Sequence, residues 1–149
     1  MPTPVHRCRG GCHCGAIAVE LDLSQPPSTL RLRACQCSFC RRRATRTLAD
    51  SGGCARIRVK SPDLLQRYRF GLKTADYLLC ATCGTYIGAM LDAGDGLFAV
   101  INVAGLDIPE FRERPAGPVD YDAETAEERV KRRRSTWMPV HIAIAGPGP

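Results

Sequence analysis

Seven cysteines stand in three short clusters, and this pattern constrains the chain more than any other feature. Cys12-His13-Cys14-Gly15, Cys35-Gln36-Cys37-Ser38-Phe39-Cys40 and Cys80-Ala81-Thr82-Cys83-Gly84 give the order C-x-C, C-x-C-x-x-C, C-x-x-C. Thiols this close in sequence must converge on something, and a metal ion is the natural object. Disulfides or free thiols are the alternative. Near-neighbour thiols in C-x-C make strained bridges, and the chain's nine cysteines are an odd number. Glycines flank the first pair and follow the last, and they let backbone amides turn inward toward sulfur, as in a zinc knuckle. The two remaining cysteines read differently: Cys8 as an unpaired surface thiol, Cys54 as a packed or idle one.

A chain of 149 residues is most simply one domain with a modest core, which metal crosslinks would reinforce. The formal charge is +6. Seven thiolates on two Zn²⁺ ions would bring that to about +3. So moderate a basicity suits a small anionic substrate as well as nucleic acid. No apolar run reaches the length of a membrane span, and Met1 to Arg7 has no apolar segment of signal-peptide type. The expectation is a cytoplasmic protein without a membrane partner, its thiols kept reduced for metal.

Alternation marks the strands. Residues 16–23 put Ile17, Val19, Leu21 and Leu23 on one side, Glu20 and Asp22 on the other. Residues 29–34 alternate again and lead into the central cysteines. Residues 56–60, 65–70, 76–79, 85–91, 97–103 and 136–143 read as further strands, with Asp92 to Gly96 as a hairpin loop. Residues 41–53 carry no assignable pattern. A helix fits residues 122–134, acidic in its first turn and basic in its last. The run Lys131-Arg132-Arg133-Arg134 reads as a solvated helix end in preference to a nucleic-acid patch. Residues 1–10 look like a loose lead-in, and about 1–9 and 145–149 are expected to be flexible. The fold class is mostly β: short antiparallel strands stapled by zinc, with one C-terminal helix.

Seven ligands divide into a four and a three. Cys12, Cys14, Cys80 and Cys83 resemble the halves of one closed, structural site. Cys35, Cys37 and Cys40 are left as a three-thiolate site with an open position. Three thiolates on Zn²⁺ carry a net charge of −1, which suits a soft fourth ligand such as a small thiol better than it suits water activation. The competing reading closes the site with a side chain, His13 being the nearest candidate. Arg41, Arg42, Arg43 and Arg46 lie beside the cluster, where they would bind substrate carboxylates, offset thiolate charge, or face solvent.

Gly10-Gly11-Cys12-His13-Cys14-Gly15-Ala16-Ile17, then Cys35 to Arg42, then Leu79-Cys80-Ala81-Thr82-Cys83-Gly84-Thr85 resemble the glutathione-dependent formaldehyde-activating enzyme family, from about Gly10 to Leu106. That resemblance implies a β-tent fold and two zinc ions. Cys12, Cys14, Cys80 and Cys83 would hold the structural one, and Cys35, Cys37 and Cys40 the catalytic one. It implies addition of glutathione to formaldehyde, or its carbon–sulfur lyase reverse, with Arg41 and Arg42 as contacts for the glutathione carboxylates. Members often read C-H-C where this chain has Gln36, and a glycine common a few residues after that motif is replaced near Thr45. The family includes a vertebrate centromere-associated branch. No general acid emerges: Tyr77, Tyr86 and His13 read as packing or surface residues. The rival reading is a zinc-stabilised binding module using its arginines on nucleic acid or an acidic partner. Against it, no aromatic stacking platform is interleaved with the basic residues. Composition leaves the aldehyde, the thiol and the oligomeric state open.

Overall fold

The computed structural model describes residues 5–145. Its strands are β1 (His6–Gly11), β2 (Ile17–Leu23), β3 (Leu32–Cys35), β4 (Thr47–Leu48), β5 (Cys54–Val59), β6 (Leu65–Tyr68), β7 (Asp76–Cys80), β8 (Tyr86–Asp92), β9 (Leu97–Asn102), β10 (Ala116–Val119) and β11 (Met138–Ile144). Two helices accompany them, the five-residue α1 (Ser38–Arg42) and the C-terminal α2 (Ala126–Thr136). The protein is mostly β, as the alternation predicts. No helix among the described residues is long and apolar enough to cross a membrane.

The strands run β1-β2-β5-β11-β9-β4-β3-β10, with β8, β7 and β6 branching in turn from β9. The last strand joins the two halves: Met138 and Pro139 pair antiparallel with β9, while Val140 to Ile144 run parallel to β5. Along β2 the alternation does what period two requires. Ile17, Val19, Leu21 and Leu23 are buried. On the outer face Glu20 and Asp22 meet Arg7 and Arg9 from β1 and Arg56 from β5, with N–O distances of 2.6 to 3.0 Å for the closest pairs. Ala93 N–H to Gly96 O closes the expected hairpin between β8 and β9.

Four expectations are corrected. Residues 6–9 are not a loose lead-in: β1 pairs with β2 along its whole length. Cys8 stands opposite Leu21 and so shares its core-facing side. It is 2% exposed, and burial, with Glu110 beside it, pushes its thiol up to about 12. At the other end Ala145 N–H bonds Val59 O, while residues 1–4 and 146–149 lie outside the described part. The strand expected over residues 29–34 begins only at Leu32, because Pro26 and Pro27 open a 3₁₀ turn over Pro27–Thr29. The expected helix starts four residues late, at Ala126. Thr125 caps it with a full capping box, its hydroxyl accepting from Glu128 N–H and the Glu128 carboxylate accepting from Thr125 N–H. The unassigned stretch 41–53 holds the end of α1, the short β4, and a turn built on buried Asp50, which accepts hydrogen bonds from Ser24 N–H, Ser24 hydroxyl and Gly52 N–H.

Candidate metal centres

Cys12 and Cys14 lie in the turn between β1 and β2, Cys80 ends β7, and Cys83 lies in the turn between β7 and β8. Each turn folds back through a glycine at positive φ, Gly15 at +83° and Gly84 at +78°, a conformation that costs glycine little. Gly15 N–H bonds Cys12 O and Gly84 N–H bonds Cys80 O. All four sulfurs lie within 4.8 Å of one another. Cys12 and Cys14 Sγ are 3.7 Å apart, and Cys14 and Cys80 Sγ 3.6 Å. A disulfide would need about 2.05 Å. Zinc–sulfur bonds of about 2.3 Å in a tetrahedron place sulfurs roughly 3.8 Å apart, so these spacings are those of a metal site's edges. Ile17 N–H points at Cys12 Sγ, 3.2 Å away. The Thr85 hydroxyl, foremost, helps bring the Cys83 thiol down to about 5.

The second group is Cys35, Cys37 and Cys40, at the end of β3 and on α1, again with sulfurs mutually within 4.8 Å. Cys37 caps α1, its sulfur accepting from Cys40 N–H at 3.4 Å. Among the thiols themselves one charge is shared unequally. Donation from Cys35 and Cys40 lowers the Cys37 thiol to about 2. Cys37 in turn raises the Cys35 thiol, and Cys35, then Cys37, then burial raise that of Cys40. Three sulfurs in this space cannot all ionise without a cation, and a dication removes that conflict. The buried Thr45 hydroxyl finds no partner within normal hydrogen-bond reach, and its presence favours the ionised form of Cys40. The donor set therefore fits a thiophilic metal such as zinc. No fourth protein ligand joins it among the described residues. His13 is exposed beside the four-cysteine group, its N–H bonded to Thr85 Oγ1.

Two hollows adjoin the three sulfurs. A cleft of about 390 Å³ has Cys35, Cys37, Arg41, Phe70, Arg129 and Arg133 in its wall, together with Asp122 as its acidic member. A narrower pocket of about 50 Å³ lies against Cys35 and Cys40 and is walled by Tyr77, Tyr86, Arg133 and Trp137. Of the arginines named from sequence, Arg41 faces the cleft. Arg42 and Arg43 face a separate hollow of about 450 Å³ on the other side of α1. Arg43 lies over the Phe39 ring, 3.7 Å from its centroid, and Arg46 is structural, donating to Phe111 O and Arg114 O.

Two further corrections arise here. The end of α2 is not simply solvated: Arg133 is 7% exposed and reaches the thiolate site. Val130, Arg133 and Trp137 share a helix face at spacings of three and four, so helical periodicity held the signal, masked by the run of charges. An aromatic cluster is also present, assembled from distant segments. Phe39, Tyr68 and Phe70 stack with centroids 5.4 to 5.9 Å apart, and Tyr77 and Tyr86 meet Phe39 edge-on. Burial pushes Tyr77 up to about 12 and Tyr86 well above its usual value. Both phenols therefore stay protonated at neutral pH.

By class this is a mostly-β protein with two cysteine groups, one of four and one of three, that could each hold a metal ion, the second beside a basic cleft. The family model for the glutathione-dependent formaldehyde-activating enzyme matches residues 7–118. The chain belongs to that family. It is also similar to a crystal structure of a Rhodobacter sphaeroides protein, with 30% sequence identity and a TM-score of 0.57, the match covering 74% of this chain and 99% of that one.

Proposed function

We propose that this protein joins glutathione to formaldehyde, or a closely related small aldehyde, giving the S-hydroxymethyl adduct, and catalyses the carbon–sulfur lyase reverse. The observation that carries the reading is the three-cysteine group, Cys35, Cys37 and Cys40, without a fourth protein ligand among the described residues and opening onto a cleft of about 390 Å³. Bound there, Zn²⁺ would offer one open position to a thiol and hold it deprotonated near neutral pH. Everything else falls to the chain. Arg41, exposed on the cleft wall, is suited to a carboxylate of a tripeptide thiol; Arg129 also lines the cleft, with its guanidinium held by Tyr121 O and Glu124. Arg42 lines the separate hollow on the other side of α1 and has no part in this reading. Phe70 and Tyr77 supply apolar wall that excludes water and fixes the approach of the reactants. Cys12, Cys14, Cys80 and Cys83 form the second, structural zinc site in this reading.

Cobalt substitution followed by glutathione titration is the test. The protein should take up two tetrahedral cobalt ions, and glutathione should add a sulfur-to-metal charge-transfer band from one of them. Two sites whose spectra ignore glutathione would overturn the open-site reading. The Phe39, Tyr68 and Phe70 stack beside Arg42 and Arg43 favours a second reading, a single-strand nucleic-acid surface. That reading requires steeply salt-dependent binding indifferent to thiols.

A further inference from the structure

Arg133 is a buried guanidinium without a counter-charge of its own. Its neighbours on α2 both have a carboxylate: Arg132 reaches Glu124 at 2.9 Å, and Arg129 lies 3.8 Å from Glu124 and donates to Tyr121 O, although its own Nε is also buried without a hydrogen-bond partner. Arg133 has no carboxylate within ion-pair distance among the described residues. One of its nitrogens donates to the Thr74 hydroxyl at 2.7 Å, and its Nε, fully buried, has no hydrogen-bond partner. A buried cation left unpaired is costly, and this one stands where the narrow pocket and the thiol cleft share a wall with Cys35 and Tyr77. On the measure by which one water needs roughly 10–15 Å³, the pocket's 50 Å³ or so holds a molecule of only a few heavy atoms. α2 begins at Ala126, beyond the family match that ends at residue 118, so Arg133 is not carried by that match.

We infer that the narrow pocket is the carbonyl pocket of the site and that Arg133 is its oxyanion-binding residue, restricting the second substrate to aldehydes of one or two carbons. The inference rests on the thiol–aldehyde reading for the identity of that substrate. In the step itself the thiolate sulfur forms a bond to the carbonyl carbon while the carbonyl π pair moves onto oxygen. The guanidinium donates a hydrogen bond to that oxygen and keeps its own proton. Water supplies the proton that completes the hydroxyl, replacing the one the thiol released to solvent. In the reverse direction the hydroxyl loses its proton, the carbonyl re-forms and the carbon–sulfur bond breaks.

The chain's one tryptophan, Trp137, reports on the pocket: the Arg133 guanidinium carbon lies 4.7 Å from its ring centroid. The probe is formate, a one-carbon oxyanion, titrated into the zinc-loaded full-length protein while tryptophan emission is read. Formate should perturb the emission saturably, acetate less and larger carboxylates least. In Arg133→Met the formate affinity should fall at least about tenfold, with Arg133→Lys intermediate. Turnover of glutathione and formaldehyde, followed by carbon-13 NMR, should lose on the order of 10²-fold in kcat with the glutathione KM and the cobalt–glutathione band unchanged. Because the guanidinium is unpaired, the melting temperature of Arg133→Met should hold or rise. A formate response that survives Arg133→Met overturns the inference, as does a well-folded Arg133→Lys that matches wild type in both formate affinity and kcat. Arg133-dependent formate binding in a protein inert toward glutathione and formaldehyde would leave the oxyanion pocket standing and remove the substrate reading alone.

Discussion

Ala44 sits at φ +48°, just past the end of α1, in the left-handed region that suits glycine. Its side chain is exposed and contributes no packing that would offset the strain. Ala44→Gly should therefore stabilise the protein by about 1 kcal/mol, seen as a higher midpoint in urea denaturation; an unchanged or lower midpoint would show that the turn is not strained. At the same scale, the left-handed Gly15 and Gly84 were legible from their positions after Cys14 and Cys83. The burial of Cys8 was not, because a lone thiol among arginines and glycines carries no periodic signature, and only its register with Leu21 places it inside.

Among the elements, α2 departs furthest from its sequence. Its charge order and capping box are local and readable. Its partner surface is not, since burial of Arg133 depends on where β8 and β9 place their apolar faces. Trp137 packs there in a cluster with Ala89, Leu91 and Val100, and Val130 packs against that cluster. Loss of the cap in Thr125→Ala should cost about 1 kcal/mol. Fraying from that end should reach Arg129 before Arg133, so hydrogen exchange should speed up most in the first turn of α2. Uniform exchange along the helix would show that tertiary packing, and not the cap, holds its start. The strand assignments for β2, β5, β7, β8 and β9 were legible within a residue or two: β2 and β5 alternate between core and surface, while β8, buried along both faces up to Leu91, reads as an apolar run bounded by turn residues. β4, only two residues long, has no room to show a period.

Across the whole molecule, the four-cysteine group brings the β1–β2 turn against the end of β7 and the β7–β8 turn, more than sixty residues away in the chain, where a bound metal would crosslink them. A crosslink closing so long a loop removes much chain entropy from the unfolded state. The three-cysteine group spans only six residues and closes almost none. The two groups should therefore respond differently to loss of a ligand. Cys83→Ser should lower the melting temperature severely or prevent folding, whereas Cys37→Ser should keep its circular dichroism spectrum and one zinc per chain while losing the glutathione response. A Cys83→Ser protein that is soluble, native and fully zinc-loaded would contradict the structural assignment, and global unfolding of Cys37→Ser would contradict the open-site one.

By itself the sequence determined the partition of seven cysteines into four and three and the mostly-β class with its C-terminal helix. Those features are written in short-range spacing: thiols two or three residues apart, alternation along single strands, acids at one end of a helix and bases at the other. Tertiary structure alone decided which arginines face the sulfurs. Arg41 and Arg42 are adjacent in the chain yet open onto different hollows, because successive residues of a helix point about 100° apart. Arg133 arrives from more than ninety residues beyond Cys40, and the aromatic cluster around Phe39 draws on β6, β7 and β8 or the loop between β6 and β7. Such juxtapositions follow from strand pairing and helix docking, which no local pattern encodes.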